Sequence, residues 1–153
     1  MKQVSSFVFG YMKIWLIQLE SYILLGEGCP DGWSRYKTSC YRIYESPLKW
    51  TQAQSACQVE NANLASILNK GTDKFIARLT RNHPRIWIGG YQPRGSPTAS
   101  NWKWVDQSPW SFEHWLFFEP NDWGGREDCL ELCPIKRWRD IRCATELPYI
   151  CGK

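Results

Sequence analysis

Histidine is almost missing from this 153-residue chain, which has two, and neither His83 nor His114 has an evident Ser, Cys or carboxylate partner in a recognisable motif. An enzyme is therefore the least supported class. No CxxC pair occurs, and Cys129 and Cys133 have no matching Cys/His pair downstream, which argues against structural zinc. No uncharged run approaches the roughly 20 residues a membrane span needs. Long charge blocks, repeats and low-complexity tracts are absent too. With a net charge of only +4 and scattered basic residues, a nucleic-acid partner has little support. The one basic cluster, Lys136, Arg137, Arg139 and Arg142, reads as a solvated strand face.

What the chain does have is cysteine and aromatic side chains. Seven cysteines stand at 29, 40, 57, 129, 133, 143 and 151, a density that points to disulfides and an oxidising compartment. Ten Trp, seven Tyr and six Phe supply core area and flat surfaces for stacking. The length suits one compact domain. Residues 1–28 read as a signal peptide or amino-terminal extension, because Met1-Lys2 precedes an uncharged run from Gln3 to Met12. Lys13 and Glu20 interrupt that run, and no clean cleavage site stands out. Residues 29–153 read as the domain, and the protein as secreted.

Along the domain, Cys29-Pro-Asp-Gly-Trp33 is a turn signal and Ser39 to Tyr44 a strand. Ser46-Pro47 predicts the cap and first position of a helix ending near Asn61, with Trp50, Ala53 and Cys57 on its inner face. Asn69 to Thr72 predicts a second start, with Asp73 in the first turn and a buried stripe of Phe75, Ile76 and Leu79 before Pro84. Beyond Pro84 helical periodicity stops. Strands are expected at Ile86-Trp-Ile-Gly-Gly90, Trp102 to Trp104, Cys129 to Leu132, Trp138 to Cys143 and Pro148 to Cys151. Gln92 to Asn101 is turn-rich, and Trp110 to Phe118 is a long aromatic loop.

Chemistry concentrates between Glu119 and Cys143. Glu119 and Asn121 flank Pro120, and a cis bond there would turn both side-chain oxygens toward one point. Glu127, Asp128 and Asp140 add carboxylates, and hard oxygen ligands suit calcium better than zinc or copper.

Two helices, a Trp-Ile-Gly strand, a long loop, Glu-Pro-Asn, Glu-Asp-Cys, Trp-x-Asp and a terminal Pro-Tyr-Ile-Cys together resemble the C-type lectin domain, over Cys29 to Cys151. The style is most similar to small secreted lectins of fish and snake venom. The resemblance implies an α+β fold: two helices, two small antiparallel sheets and a long calcium-binding loop, stapled by disulfides. It implies the pairs Cys29–Cys40, Cys57–Cys151 and Cys129–Cys143. The bridge from 57 to 151 would be worth roughly 4 to 5 kcal/mol in the chain-entropy model. Cys133 is left over, either as a buried thiol or as the bridge of a covalent homodimer.

The resemblance also implies one calcium held by Glu119, Asn121, Glu127 and Asp140. A sugar would be bound by Glu119, Asn121 and Glu127, with Trp123 either stacking on it or packing in the loop. Glu-Pro-Asn implies mannose, glucose or fucose type hydroxyls. An auxiliary calcium site is not expected, since the segment after Trp-Ile-Gly offers no carboxylate. Arg139 departs from the pattern, which has Asn there. A guanidinium roughly 5 Å from a divalent ion costs on the order of 6 kcal/mol at an effective dielectric near 20, unless it swings outward or pairs with Asp122 or Glu127. Two readings follow: a calcium-dependent lectin for glycans or glycoproteins, or a calcium-independent protein-binding module with a degraded sugar site. Ice binding, known in some fish relatives, is a third.

Overall fold

The computed structural model describes residues 28–94, 96 and 101–153. The expected leader, Gly28 apart, and part of the turn-rich segment before Asn101 lie outside the described residues. The chain divides into Met1–Asp31 and Gly32–Lys153, and the second unit carries the fold.

A hairpin of β1 (Ser34–Tyr36) and β2 (Ser39–Leu48) leads into α1 (Trp50–Val59). Then come β3 (Asn63–Leu64), α2 (Lys70–Leu79), β4 (Ile86–Tyr91), β5 (Lys103–Trp104), β6 (Cys129–Leu132), β7 (Trp138–Ile141) and β8 (Leu147–Gly152). Among the described residues the strands run in the order β1-β2-β8-β4-β6-β7, with β3 on β8 and β5 on β4. Where the resemblance implies two small antiparallel sheets, the described residues form one sheet, because a parallel pairing of Trp87 with Tyr149 joins β4 to β8.

The start of α1 differs from expectation. Ser46 and Pro47 carry cap chemistry, but they belong to β2, where Leu48 still pairs with Leu147. The register shifts between Tyr44 and Leu48, an irregularity that accommodates a proline with no N–H to donate. Lys49 is the cap instead, its backbone N–H donating to Gln52 Oε1 at 3.2 Å. The inner face is as expected, since Trp50, Ala53 and Cys57 are buried. Helix α2 starts where the sequence says. Asn69 Oδ1 accepts from the backbone N–H groups of Gly71 and Thr72 at 3.0 Å each.

Aromatic side chains share one core with Ile76 of α2 and the inner strands. Trp104 and Trp138 pack edge to face at 5.3 Å, Trp110 stacks on Trp104 at 4.8 Å, and Trp115 meets Trp138 at 5.8 Å. The aromatic loop is thus core as far as Trp115, whereas Phe117 and Phe118 are exposed. Gly89 lets the chain close here, because a Cβ at that position would collide with the Leu64 carbonyl oxygen. The Gly89 N–H donates to Ala65 O at 2.9 Å, fastening β4 beside β3.

Cys57–Cys151 ties α1 to β8, and Cys129–Cys143 ties β6 to the turn after β7. Cys29 and Cys40 are both disulfide-bonded. Cys133 is a free cysteine, 2% exposed, which supports the buried-thiol reading over an interchain bridge. Among the described residues no helix is long and apolar enough to cross a membrane.

Candidate functional site

The long loop returns to the sheet through backbone bonds at its end. Trp138 N–H donates to His114 O at 2.9 Å, and Leu116 N–H donates to Trp138 O at 2.8 Å. This brings Glu119 alongside β7, and the Glu119–Pro120 peptide bond is cis. Asp140, 1% exposed, accepts from the next two amides: Asn121 N–H on Oδ1 at 3.1 Å and Asp122 N–H on Oδ2 at 2.7 Å. The following turn closes on itself. Glu127 N–H donates to Asp122 Oδ1 at 3.0 Å, and Trp123 N–H donates to Glu127 Oε2 at 3.1 Å.

All five residues expected at the metal and sugar site line one cleft of about 280 Å³: Glu119, Asn121, Trp123, Glu127 and Asp140, with Arg139 and Ile141. Asn121 Nδ2 donates to Glu119 Oε1 at 2.9 Å, while Glu119 Oε2 is buried and receives no donor. Trp123 lines the cleft and is 78% exposed, so most of its ring is not packed in the loop.

The carboxyls crowd one another. Glu119 is pushed up to about 8, first by burial, then by Asp140 through a hydrogen bond to the protonated form and through its charge; Arg139 opposes. Glu127 is raised as well, again by burial first, against the Trp123 amide, with the charges of Asp140 and Asp122 adding to the rise.

Arg139 pairs with neither Asp122 nor Glu127. Its Nε donates to Glu131 Oε1 at 2.9 Å, and a terminal nitrogen reaches the same oxygen. Glu131 is fully buried and accepts from Arg85 Nε at 2.8 Å on its other oxygen. Burial opposes the Arg139 charge, but the hydrogen bond and charge of Glu131 outweigh it and raise the pKa. The sequence reading missed Glu131. Its signal was a glutamate inside the apolar strand Cys-Leu-Glu-Leu, which must be paired if buried.

Both histidines have carboxylate partners, contrary to expectation. His83 Nε2 lies 2.8 Å from Glu45, and His114 Nδ1 lies 2.8 Å from Asp73 Oδ2. Each joins distant segments and lies outside the cleft. Of the basic cluster, Arg137 and Arg142 are exposed, but Lys136 Nζ donates to the His83 carbonyl and Arg139 is committed to Glu131.

The cleft offers oxygen ligands only, which fits a hard cation. A buried carboxylate oxygen without a donor, among like charges, is what such a cation would satisfy. As they stand, no three acidic, His or Cys side chains among the described residues converge closely enough to hold an ion.

Residues 46–153 match the family model of the lectin C-type domain. Asialoglycoprotein receptor 2 of Homo sapiens is 36% identical over 132 residues, which cover 82% of this chain and 40% of the receptor. The protein named Lectin of Pleurodeles waltl is 32% identical over 137 residues, covering 82% of this chain and 76% of that protein. The chain thus spans less than half of the receptor but about three quarters of the Pleurodeles waltl protein. Among solved structures, the cow C-type carbohydrate-recognition domain of CD23, determined in the presence of a GlcNAc2Man3 oligosaccharide, superposes with a TM-score of 0.75. It is 29% identical, covering 83% of this chain and 96% of that one. A calcium-independent type II antifreeze protein superposes with a TM-score of 0.73 at 26% identity, covering 82% and 94%.

Proposed function

The chain belongs to the C-type lectin domain family, and from that premise we propose that it is a secreted, non-enzymatic protein that binds glycans in the Glu119–Asp140 cleft with the help of calcium. One observation carries the reading: Glu119 is held beside Asp140 and Asn121 with a buried oxygen that no donor satisfies. Glu119, Asn121, Glu127 and Asp140 would hold the ion, whose role when bound is to neutralise the carboxylates and take two adjacent sugar hydroxyls into its shell. The chain's own residues do the selecting. Carboxylate oxygens of Glu119 and Glu127 accept hydroxyl protons, the Asn121 amide donates to a hydroxyl oxygen, and the exposed Trp123 ring offers an apolar face. The Glu-Pro-Asn triplet favours mannose, glucose or fucose type hydroxyls.

The second reading, a calcium-independent protein-binding module, is favoured by two facts. Both Asp140 oxygens already accept backbone amides, and Arg139 lines the cleft. Calorimetry with calcium, then mannose, fucose and galactose binding with and without chelator, separates the two. Calcium uptake and chelator-sensitive sugar binding, both lost in Glu119→Gln, are expected. No calcium heat and no sugar signal would overturn the first reading, and calcium-independent binding to a protein would then establish the second.

A further inference from the structure

The turn from Asp122 to Asp128 serves two clefts. Trp123 and Glu127 face the one described above, whereas Arg126 and Asp128 line a second, larger cleft of about 710 Å³. Arg94 and Arg142 join Arg126 on its wall. Among the described residues the ion pairs involve His83, Arg85, His114 and Arg139, and none of them involves Arg94, Arg126 or Arg142. Three guanidinium groups therefore share a concave surface with one carboxylate, that of Asp128. Gathering like charges costs energy that an anion would recover, and the guanidinium fork matches a sulfate or carboxylate in shape.

Other parts of the cleft define the rest of the ligand. Gln92 lines it and is 3% exposed; its backbone N–H donates to Asp128 O at 2.9 Å, while its Oε1 is buried with no donor. That oxygen calls for a hydroxyl or N–H, which a bare inorganic anion lacks. Tyr91 and Trp50, with ring centroids 5.6 Å apart, add a ring-lined wall, and the Trp50 indole N–H is spent on Ile88 O. An anionic group beside hydroxyls on a flat-sided ring is the description of an acidic sugar.

We propose that this second cleft binds a sulfated or carboxylated saccharide through Arg94, Arg126 and Arg142, independently of calcium. The test is calorimetric titration of the full chain, in chelator, with a sulfated uronic acid–glucosamine disaccharide. Binding is expected, weakening as salt is raised, and about tenfold weaker in the double variant Arg126→Ala with Arg142→Ala. Both side chains are exposed, so folding is kept, and Lys74→Ala on α2 is a charge control that leaves affinity unchanged. Equal affinity of the double variant overturns the site. Equal affinity of the unsulfated, carboxyl-reduced disaccharide overturns the anion requirement. Displacement by inorganic sulfate at matched concentration overturns the commitment to a saccharide. Because chelator is present throughout, failure here is separate from failure of the calcium-dependent cleft.

Discussion

Glu131 and Arg139 stand directly opposite each other in the β6–β7 ladder, and the carboxylate is fully buried beneath the guanidinium. The residue that departs from the family pattern at the Glu119–Asp140 cleft is therefore also half of the support for a buried charge. Arg139→Asn is expected to have two effects of opposite sign. Calcium affinity rises, because a cation beside Glu119 is removed. Stability falls by about 2 kcal/mol, since Glu131 keeps only Arg85 and the lost partner is partly screened. Thermal unfolding beside calcium titration checks both, and adding Glu131→Gln should recover part of the lost stability.

Glu119 gives the metal-free protein a specific pH response. Its folded-state pKa is raised to about 8 from an ordinary 4.5, so between these values the folded state binds more protons than the unfolded one. Stability from this group is full below the unfolded value and is lost as pH rises toward about 8. Urea midpoints measured in chelator from pH 5 to pH 8 should decline, and Glu119→Gln should flatten the decline. An unchanged slope in the variant would remove Glu119 as the cause.

Trp123→Ala is expected to leave the melting temperature within about one degree of wild type, because the ring is exposed and buries little area. Sugar affinity should fall roughly three- to tenfold through the lost stacking surface. A melting temperature several degrees lower would show that the ring packs in the loop after all.

Cys133 should resist thiol reagents in the native protein and react fully in denaturant without reductant. The chain should also run at monomer mass on gels with and without reductant. A reductant-sensitive dimer would mean that this buried position opens in solution.

Legibility in the sequence followed the range of the interaction. Asn69 announces α2 because its cap bonds reach only two and three residues ahead. Ser46-Pro47 misled for the converse reason: its local cap chemistry competes with the pairing of the adjacent Leu48 to Leu147, far away in sequence. The oxygen set of the cleft was legible because Glu119, Asn121 and Glu127 lie within one loop and Asp140 within one motif. Glu131 was not, since its pairing with Arg139 needs the strand register and its pairing with Arg85 needs a third strand's edge. The same holds for Asp73 and His114, which meet only once α2 and the aromatic loop pack.

The bridge from Cys57 to Cys151 has a further consequence, for the durability of the protein under proteolysis. Any protease cut between Gln58 and Asp128 leaves one cysteine of that bridge on each side. Neither piece can then diffuse away. β8, carried by the second piece, still has its partner β2 on the first. A chain nicked in its long loop keeps its full mass until a reductant arrives, so clipping alone does not clear it.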